Sequence, residues 1–177
     1  MEPAALLIRP SQDADLAAIT EIYAQAVQTG TATFELEPPD QPEIARRWQS
    51  VVQAGLPWLT AERDGSVLGY AYAGPFRPRP AYRFCVENSV YVDARARGQR
   101  VGAWLLAELM ARCETWGARQ MVAVIGDSGN AASINLHKRL GFRHAGQVDH
   151  VGWKFGRWLD VVFMQRTLGQ GASAAAD

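Results

Sequence analysis

The apolar positions along this chain change period several times. Leu6 to Arg9 read as a short strand. After Asp13, Leu16, Ile19, Ile22, Tyr23 and Val27 recur at three- and four-residue steps, the spacing of a helix buried along one face. Thr29 to Gln41, TGTATFELEPPDQ, breaks that period and reads as a long loop, a frequent place for function in a compact domain. Pro42 to Gln53 is a short helix with proline near its start, where a missing N–H costs little. Trp58 to Glu62 and Val67 to Ala73 flank Asp64-Gly65, a hairpin turn signal. Gly74 to Arg83, GPFRPRPAYR, is a second irregular loop with three prolines and three arginines. Phe84 to Val92 is a strand, and Arg100 to Trp116 a helix ended by Gly117. Met121 to Ile125 is an all-apolar buried strand, Gly126 to Asn130 a polar turn, and Ala131 to Leu140 a helix closed by Gly141. Two last strands lie around His144 to Asp149 and Leu159 to Leu168.

Strands and helices alternate irregularly, with no repeat and no linker. That predicts one α/β domain over residues 1–168, a mixed central sheet with helices on both faces. Residues 169–177, GQGASAAAD, are small and polar and are expected to be a disordered tail.

Charge and composition narrow the class. Across 177 residues, 18 basic and 18 acidic side chains balance to zero net charge, which argues against a dedicated nucleic-acid binder. No apolar run reaches the roughly 18 residues of a membrane span, and MEPAALLIRP lacks the pattern of a signal peptide. Cys85 and Cys113 have no metal-ligand spacing, so two unpaired thiols, no metal and a cytoplasmic setting are expected.

Candidate chemistry is densest from Glu87 to Gly102, ENSVYVDARARGQRVG. An alternating strand carries an acidic residue at its start, and an arginine-containing turn leads into a helix. A helix N-terminus attracts phosphate, because its first N–H groups lack intrahelical partners and its dipole is positive. A nearby carboxylate can take a proton from an amine. Taken alone, Arg97-Gly98-Gln99-Arg100-Val101-Gly102 reads equally well as an ordinary strand–helix connection. Further on come Asn130-Ala131-Ala132-Ser133 and Leu136-His137-Lys138-Arg139-Leu140-Gly141-Phe142.

With both segments in view, the chain resembles the GNAT superfamily of acetyl-CoA-dependent N-acetyltransferases. The first segment matches its pyrophosphate loop, Q/R-x-x-G-x-G/A, and the second its N-x-x-(S/A)-x-x-L-Y-x-x-L-G-F helix. VLGYAYAGP from Val67, then Arg77, VENSVYV, GNAASINLHKRLGF and KFGRWLDVVFMQ resemble the phosphinothricin and methionine sulfoximine branch over nearly the whole chain apart from the tail. The resemblance implies a GNAT fold, usually a homodimer, with acetyl-CoA wedged between splayed central strands.

It also implies roles. Val90, Tyr91 and Val92 match the segment whose backbone pairs with pantetheine like an added strand, with the Val90 N–H near the thioester oxygen. Arg97, Gly98, Gln99, Arg100, Val101, Gly102 and Ala103 match the loop around the pyrophosphate. Asn130, with Ser133 in the same motif, matches the asparagine that bonds the pantetheine arm, a role compatible with a helix cap. Arg100 stands where the motif has glycine; it either crowds the phosphates or, as expected here, adds a charge-assisted contact to them. Glu87 matches the general base. An α-amine is mostly protonated at neutral pH, with a pKa of about 7.7–8.0 as a guide, and only its neutral form can attack. His137 stands where most of the superfamily has tyrosine, and is expected to protonate the departing thiolate or hold a water near it. Thiols have pKa near about 8.5, so that help is small. Arg77, Pro78, Arg79 and Arg83 flank the substrate pocket, where guanidinium groups suit carboxylates and phosphinates. Asn88 and Ser89 match substrate-side positions, and Phe34 and Glu35 a segment closing the site near the dimer interface.

The expected reaction is direct acetyl transfer to the α-amine of a small amino-acid-like substrate: L-methionine sulfoximine, L-methionine sulfone or phosphinothricin. A covalent route through Cys85, two residues before Glu87 on the same strand face, is disfavoured. The alternatives are a protein N-terminus, a polyamine or an antibiotic as acceptor, or a non-catalytic acyl-CoA-binding module.

Overall fold

The structure, a computed structural model, describes residues 5–175. In chain order the elements are β1 (Leu7–Pro10), α1 (Leu16–Thr29), α2 (Gln41–Gln53), β2 (Trp58–Arg63), β3 (Ser66–Pro75), β4 (Cys85–Val92), α3 (Val101–Trp116), β5 (Gln120–Gly126), α4 (Ala131–Arg139), β6 (Arg143–Lys154) and β7 (Arg157–Thr167). One seven-stranded sheet holds them in the order β1-β2-β3-β4-β5-β7-β6. All neighbours are antiparallel except β4 and β5.

Strand alternation sorts the core onto the two faces. On one face Leu59, Ala61, Ala71, Ala73 and Val86 pack against Leu105, Leu106 and Leu109 of α3. On the other, Trp58 and Tyr70 pack against Leu16, Ile19, Tyr23 and Val27 of α1 and Ile44 of α2. The mixed sheet with helices on both faces is therefore the observed architecture.

Three boundaries differ from the sequence expectation, the first being β3, which runs on through Gly74 and Pro75, paired with Glu87 and Val86, into the segment expected as loop. A 3-10 turn, Asp13–Asp15, precedes α1, with Asp15 held by two hydrogen bonds from Arg9 at 2.7 and 2.8 Å. β6 continues well past Asp149, to Lys154. The register shifts between Val148 and Gly152, and the backbone N–H of His150, at a positive φ of 55°, donates to Asp160. This strand lies at the sheet edge with most side chains exposed, so no buried face imposes a period on its sequence. A tight turn at Phe155-Gly156, both at positive φ, joins it to β7.

Of the tail expected to be disordered, residues 169–175 form turns, with Gly171 N–H donating to Leu168 and Ser173 N–H to Gln170. Residues 176 and 177 lie outside the described residues.

Candidate active site

The parallel pairing of β4 with β5 runs from Cys85↔Gln120 to Asn88↔Ala123 and stops. Beyond it, β4 stays on β3 as far as Gly69↔Val92, and β5 stays on β7 as far as Gly126↔Val161. The sheet therefore splits at Asn88 and Ala123. The facing edges of Ser89 to Val92 and Val124 to Gly126 are left without a strand partner, a place where an extended ligand can hydrogen-bond as an added strand.

A cavity of about 830 Å³ fills the split. Its walls include Asn88, Ser89, Val90, Tyr91 and Val92 of β4, the turn carrying Arg97, Gly98 and Arg100, the α3 start at Val101, Gly102 and Ala103, and Asn130, Ser133 and His137 of α4. Ile22, Ala26 and residues 29–32 close it on the α1 face, so the space passes through the sheet from one face to the other.

Local chemistry shapes the loop before α3. Gly98 sits at φ 78° and Arg100 at φ 64°, both left-handed. That conformation is easy for glycine and costly for other residues, which explains why the related motif has glycine at the position of Arg100. At Gly102 an added Cβ would make ordinary contacts with Leu136, Val92 and Val90 at 3.4 to 3.8 Å, so helix and strand are neighbours there. Gln99 does not face the cavity. Its amide accepts from Arg63 at 2.8 Å and donates to the Arg95 carbonyl at 3.0 Å, tying the loop to β2. Arg97, Arg100 and Arg139 line the cavity and have no carboxylate partner among the described residues. Asn130 caps α4, its Oδ1 accepting from Ser133 N–H at 3.2 Å.

Glu87 and Asn88 face opposite ways. Glu87, with Cys85, Ser89 and Tyr91, is on the α1 face. There Tyr91 packs edge-on to Tyr23 and stacks on Tyr70, with centroids 5.0 and 5.3 Å apart. Burial pushes the Glu87 carboxyl above the usual carboxylate range, and the nearby positive charge of Arg77 opposes that shift. Glu87 makes no ion pair among the described residues. Arg77 stacks on Phe76 with its guanidinium carbon 4.3 Å from the ring centroid, and Arg83 on Phe84 at 4.3 Å. Arg77, Pro78, Arg79 and Arg83 stand outside the cavity lining, as does Glu87. Burial raises the Cys85 thiol, as does the charge of Glu87, and burial pushes Cys113 up to about 12. Neither thiol is therefore an activated nucleophile.

Asn88 and His137 are 6% and 3% exposed. Asn88 Nδ2 donates to the Val122 carbonyl at 3.2 Å, and its Oδ1 lies 3.0 Å from His137 Nε2. His137 Nδ1 lies 2.8 Å from the Ser133 carbonyl and 3.4 Å from the Ser133 hydroxyl. Burial lowers the His137 pKa, and the Ser133 carbonyl opposes that. Asn88, expected on the substrate side with Ser89, turns instead toward α4.

The long first loop crosses the end of β5. A Cβ on Gly126 would fall 2.2 Å from the Thr31 carbonyl oxygen and 2.9 Å from the Phe34 ring. On Gly152 it would fall 2.3 Å from the same ring. Glu35 accepts from Arg47 at 2.6 Å and from Tyr23 at 3.0 Å. Phe34 and Glu35 thus anchor the loop and do not line the cavity. Lys154, which sequence reasoning missed, holds the loop through the carbonyls of Gly30 and Thr33. Its only local sign was a lysine at the end of an edge strand.

Among the described residues no group of three His, Cys, Asp or Glu side chains could hold a metal ion, and no helix is long and apolar enough to cross a membrane.

Residues 17–142 match the model of the acetyltransferase (GNAT) family. A phosphinothricin N-acetyltransferase of Alcaligenes faecalis is 56% identical over 167 residues, 94% of this chain and 85% of that protein. An L-methionine sulfoximine/L-methionine sulfone acetyltransferase of Pseudomonas aeruginosa is 45% identical over 94% of this chain and 97% of that protein. Among solved structures, a GNAT superfamily phosphinothricin acetyltransferase of Sinorhizobium meliloti in complex with acetyl-CoA superposes with a TM-score of 0.94. It is 46% identical and covers 97% of this chain and 93% of that one.

Proposed function

The chain belongs to the acetyltransferase (GNAT) family, and we propose that it acetylates the α-amine of small amino acids with an oxidised side-chain end. Phosphinothricin, L-methionine sulfoximine and L-methionine sulfone are its leading substrates. It is an acetyl-CoA-dependent N-acetyltransferase, and the related proteins act on these compounds. The observation that carries the reading is the split sheet: an open strand edge, left-handed turn and helix N-terminus stand in one cavity, with an unpaired carboxylate beginning the same strand.

The residues present fit acetyl-CoA. Ser89 to Val92 offer free backbone to the pantetheine amides. The N–H groups at the start of α3, with Arg97, Arg100 and Arg139, offer positive charge to the phosphates. Acetyl-CoA supplies a thioester carbon open to an amine.

Glu87 is the general base. Its raised carboxyl moves toward the pKa of the ammonium it must deprotonate, which improves proton transfer near neutral pH. The Val90 N–H steadies the charge that develops on the thioester oxygen. The charge of Arg77 reaches Glu87, which supports a role for Arg77 in holding the carboxylate or the oxidised end of the substrate. Direct attack fits the unactivated state of Cys85.

A homodimer fits the exposed apolar surface of the β6–β7 hairpin. Trp153 and Trp158 are each 57% exposed, beside Val151 and Phe155. Such a patch on one hairpin is characteristic of an interaction surface.

The test is release of CoA thiol from acetyl-CoA across a panel of amines, comparing parent and Glu87→Gln. Release with the oxidised methionine analogues or phosphinothricin, lost in the variant, supports both substrate class and base. Release with a polyamine or peptide alone overturns the substrate class.

A further inference from the structure

Asn88 occupies the last paired position before β4 and β5 part. Its side chain ties its own strand to two other elements, through the Val122 carbonyl on β5 and the His137 ring on α4. The chemistry of the partners limits the orientations. A backbone carbonyl only accepts, so Asn88 presents Nδ2 to Val122 and therefore Oδ1 to the ring. That oxygen only accepts, and so does the Ser133 carbonyl 2.8 Å from Nδ1, so a neutral ring donates to one of the two; donation to Asn88 puts the hydrogen on Nε2. Nδ1 is then left to Ser133, receiving its hydroxyl when the ring is neutral and donating to its carbonyl when the ring is charged. In either state both ring nitrogens are engaged inside the protein.

We propose that Asn88 is a positioning residue for acetyl transfer. It pins β4, β5 and α4 at the vertex of the split and holds the His137 ring as a brace beside the thioester site, so that His137 does not deliver a proton to the sulfur. The inference rests on the acetyltransferase reading and changes the role first expected of His137. The leaving thiolate has a parent pKa of about 8.5 and departs as the anion without a donor. Distance matters because Ser89 and Val90, the next residues along, line the cavity. Letting the vertex slip moves the oxyanion-binding backbone relative to the amine, and small misplacements of reacting groups cost large factors in rate.

The experiment compares Asn88→Ala, Asn88→Asp, His137→Ala, His137→Gln and the double alanine variant, with nitrogen NMR of the His137 ring in the free protein. A slip at the vertex misplaces the reacting groups, so kcat in Asn88→Ala is expected to fall by about tenfold or more. KM for acetyl-CoA is expected to stay within about twofold, because Arg97, Arg100 and the start of α3 make no hydrogen bond with Asn88. The double alanine variant is expected to be no worse than the poorer single one, since both break one contact. His137→Gln, which keeps a side-chain donor, should exceed His137→Ala. Asn88→Asp, of the same size, keeps an acceptor for Nε2–H and should hold the ring tautomer that Asn88→Ala releases.

Equal and complete loss in His137→Gln and His137→Ala, with Asn88→Ala near the parent, would make His137 a proton donor and overturn the inference. So would an unchanged ring tautomer in Asn88→Ala. If the parent acetylates no amine at all, the acetyltransferase reading fails instead, and the NMR comparison still decides whether Asn88 sets the ring.

Discussion

The Lys154 ammonium donates to the Thr33 carbonyl at 2.9 Å and to that of Gly30 at the same distance, joining the end of β6 to a loop more than 120 residues earlier. Lys154 is 4% exposed and has no carboxylate partner among the described residues. Burial lowers its pKa, against the charge of Glu35. A charge is buried here to hold one loop in one place, and that loop walls the cavity.

Lys154→Met keeps the stem and removes the donors. Leaving two carbonyls without them costs about 1–3 kcal/mol, partly offset because no charge is then buried. The expected result is a modest fall in Tm, faster hydrogen exchange over residues 30–35, and a higher KM for the amine. Unchanged exchange in that segment would show that Phe34 and Glu35 anchor the loop without Lys154.

Glu87→Gln should lower kcat by about 10²–10⁴, the usual contribution of a positioned base. Stability should move the other way. The folded carboxyl is raised, so its contribution is fully present below the unfolded pKa and lost as pH rises through the folded value. Above that value the ionised parent is the less stable form. The amide variant should therefore melt at the same or a higher temperature near pH 8, with any advantage vanishing toward about pH 4. Thermal melts across pH decide it.

Gly126→Ala places a methyl 2.2 Å from the Thr31 carbonyl oxygen, a backbone atom, so relief requires the loop to move. Overpacking of this kind costs about 1–3 kcal/mol. Activity should fall with the melting temperature, and exchange should again rise over the loop. A stable, fully active Gly126→Ala would mean that the loop is not a wall of the working site.

Arg100→Gly relieves a left-handed arginine, worth about 1–2 kcal/mol, and adds glycine's entropic cost of about 0.5–1 kcal/mol. Stability should barely change. Affinity for acetyl-CoA should fall, and its salt dependence should flatten, if the guanidinium contacts phosphate. Tighter binding in the glycine variant would show that Arg100 crowds the phosphates.

Trp153→Glu tests the dimer. Light scattering should find the parent at about twice its 19.4 kDa chain mass and the variant shifted toward the monomer, because a charge desolvated in an apolar interface is costly. A monomeric parent would remove the dimer from the proposed function.

The sequence by itself determined the order of elements, because apolar spacing is a local property. It marked a turn before α3, through the glycine motif around Gly98, and the structure added that Gly98 and Arg100 are left-handed there. It also placed Glu87 at the start of the strand and Asn130 at a helix cap, because alternation and capping act over a few residues. Tertiary structure alone decided where β4 and β5 part, which way Asn88 faces, that His137 meets it across 49 residues, and that Lys154 reaches the first loop. Those outcomes depend on register between strands distant in the chain and on which buried polar groups find partners, and no local period encodes either. The long β6 escaped the sequence for a related reason: a strand at the sheet edge has little buried surface to write a pattern into its residues.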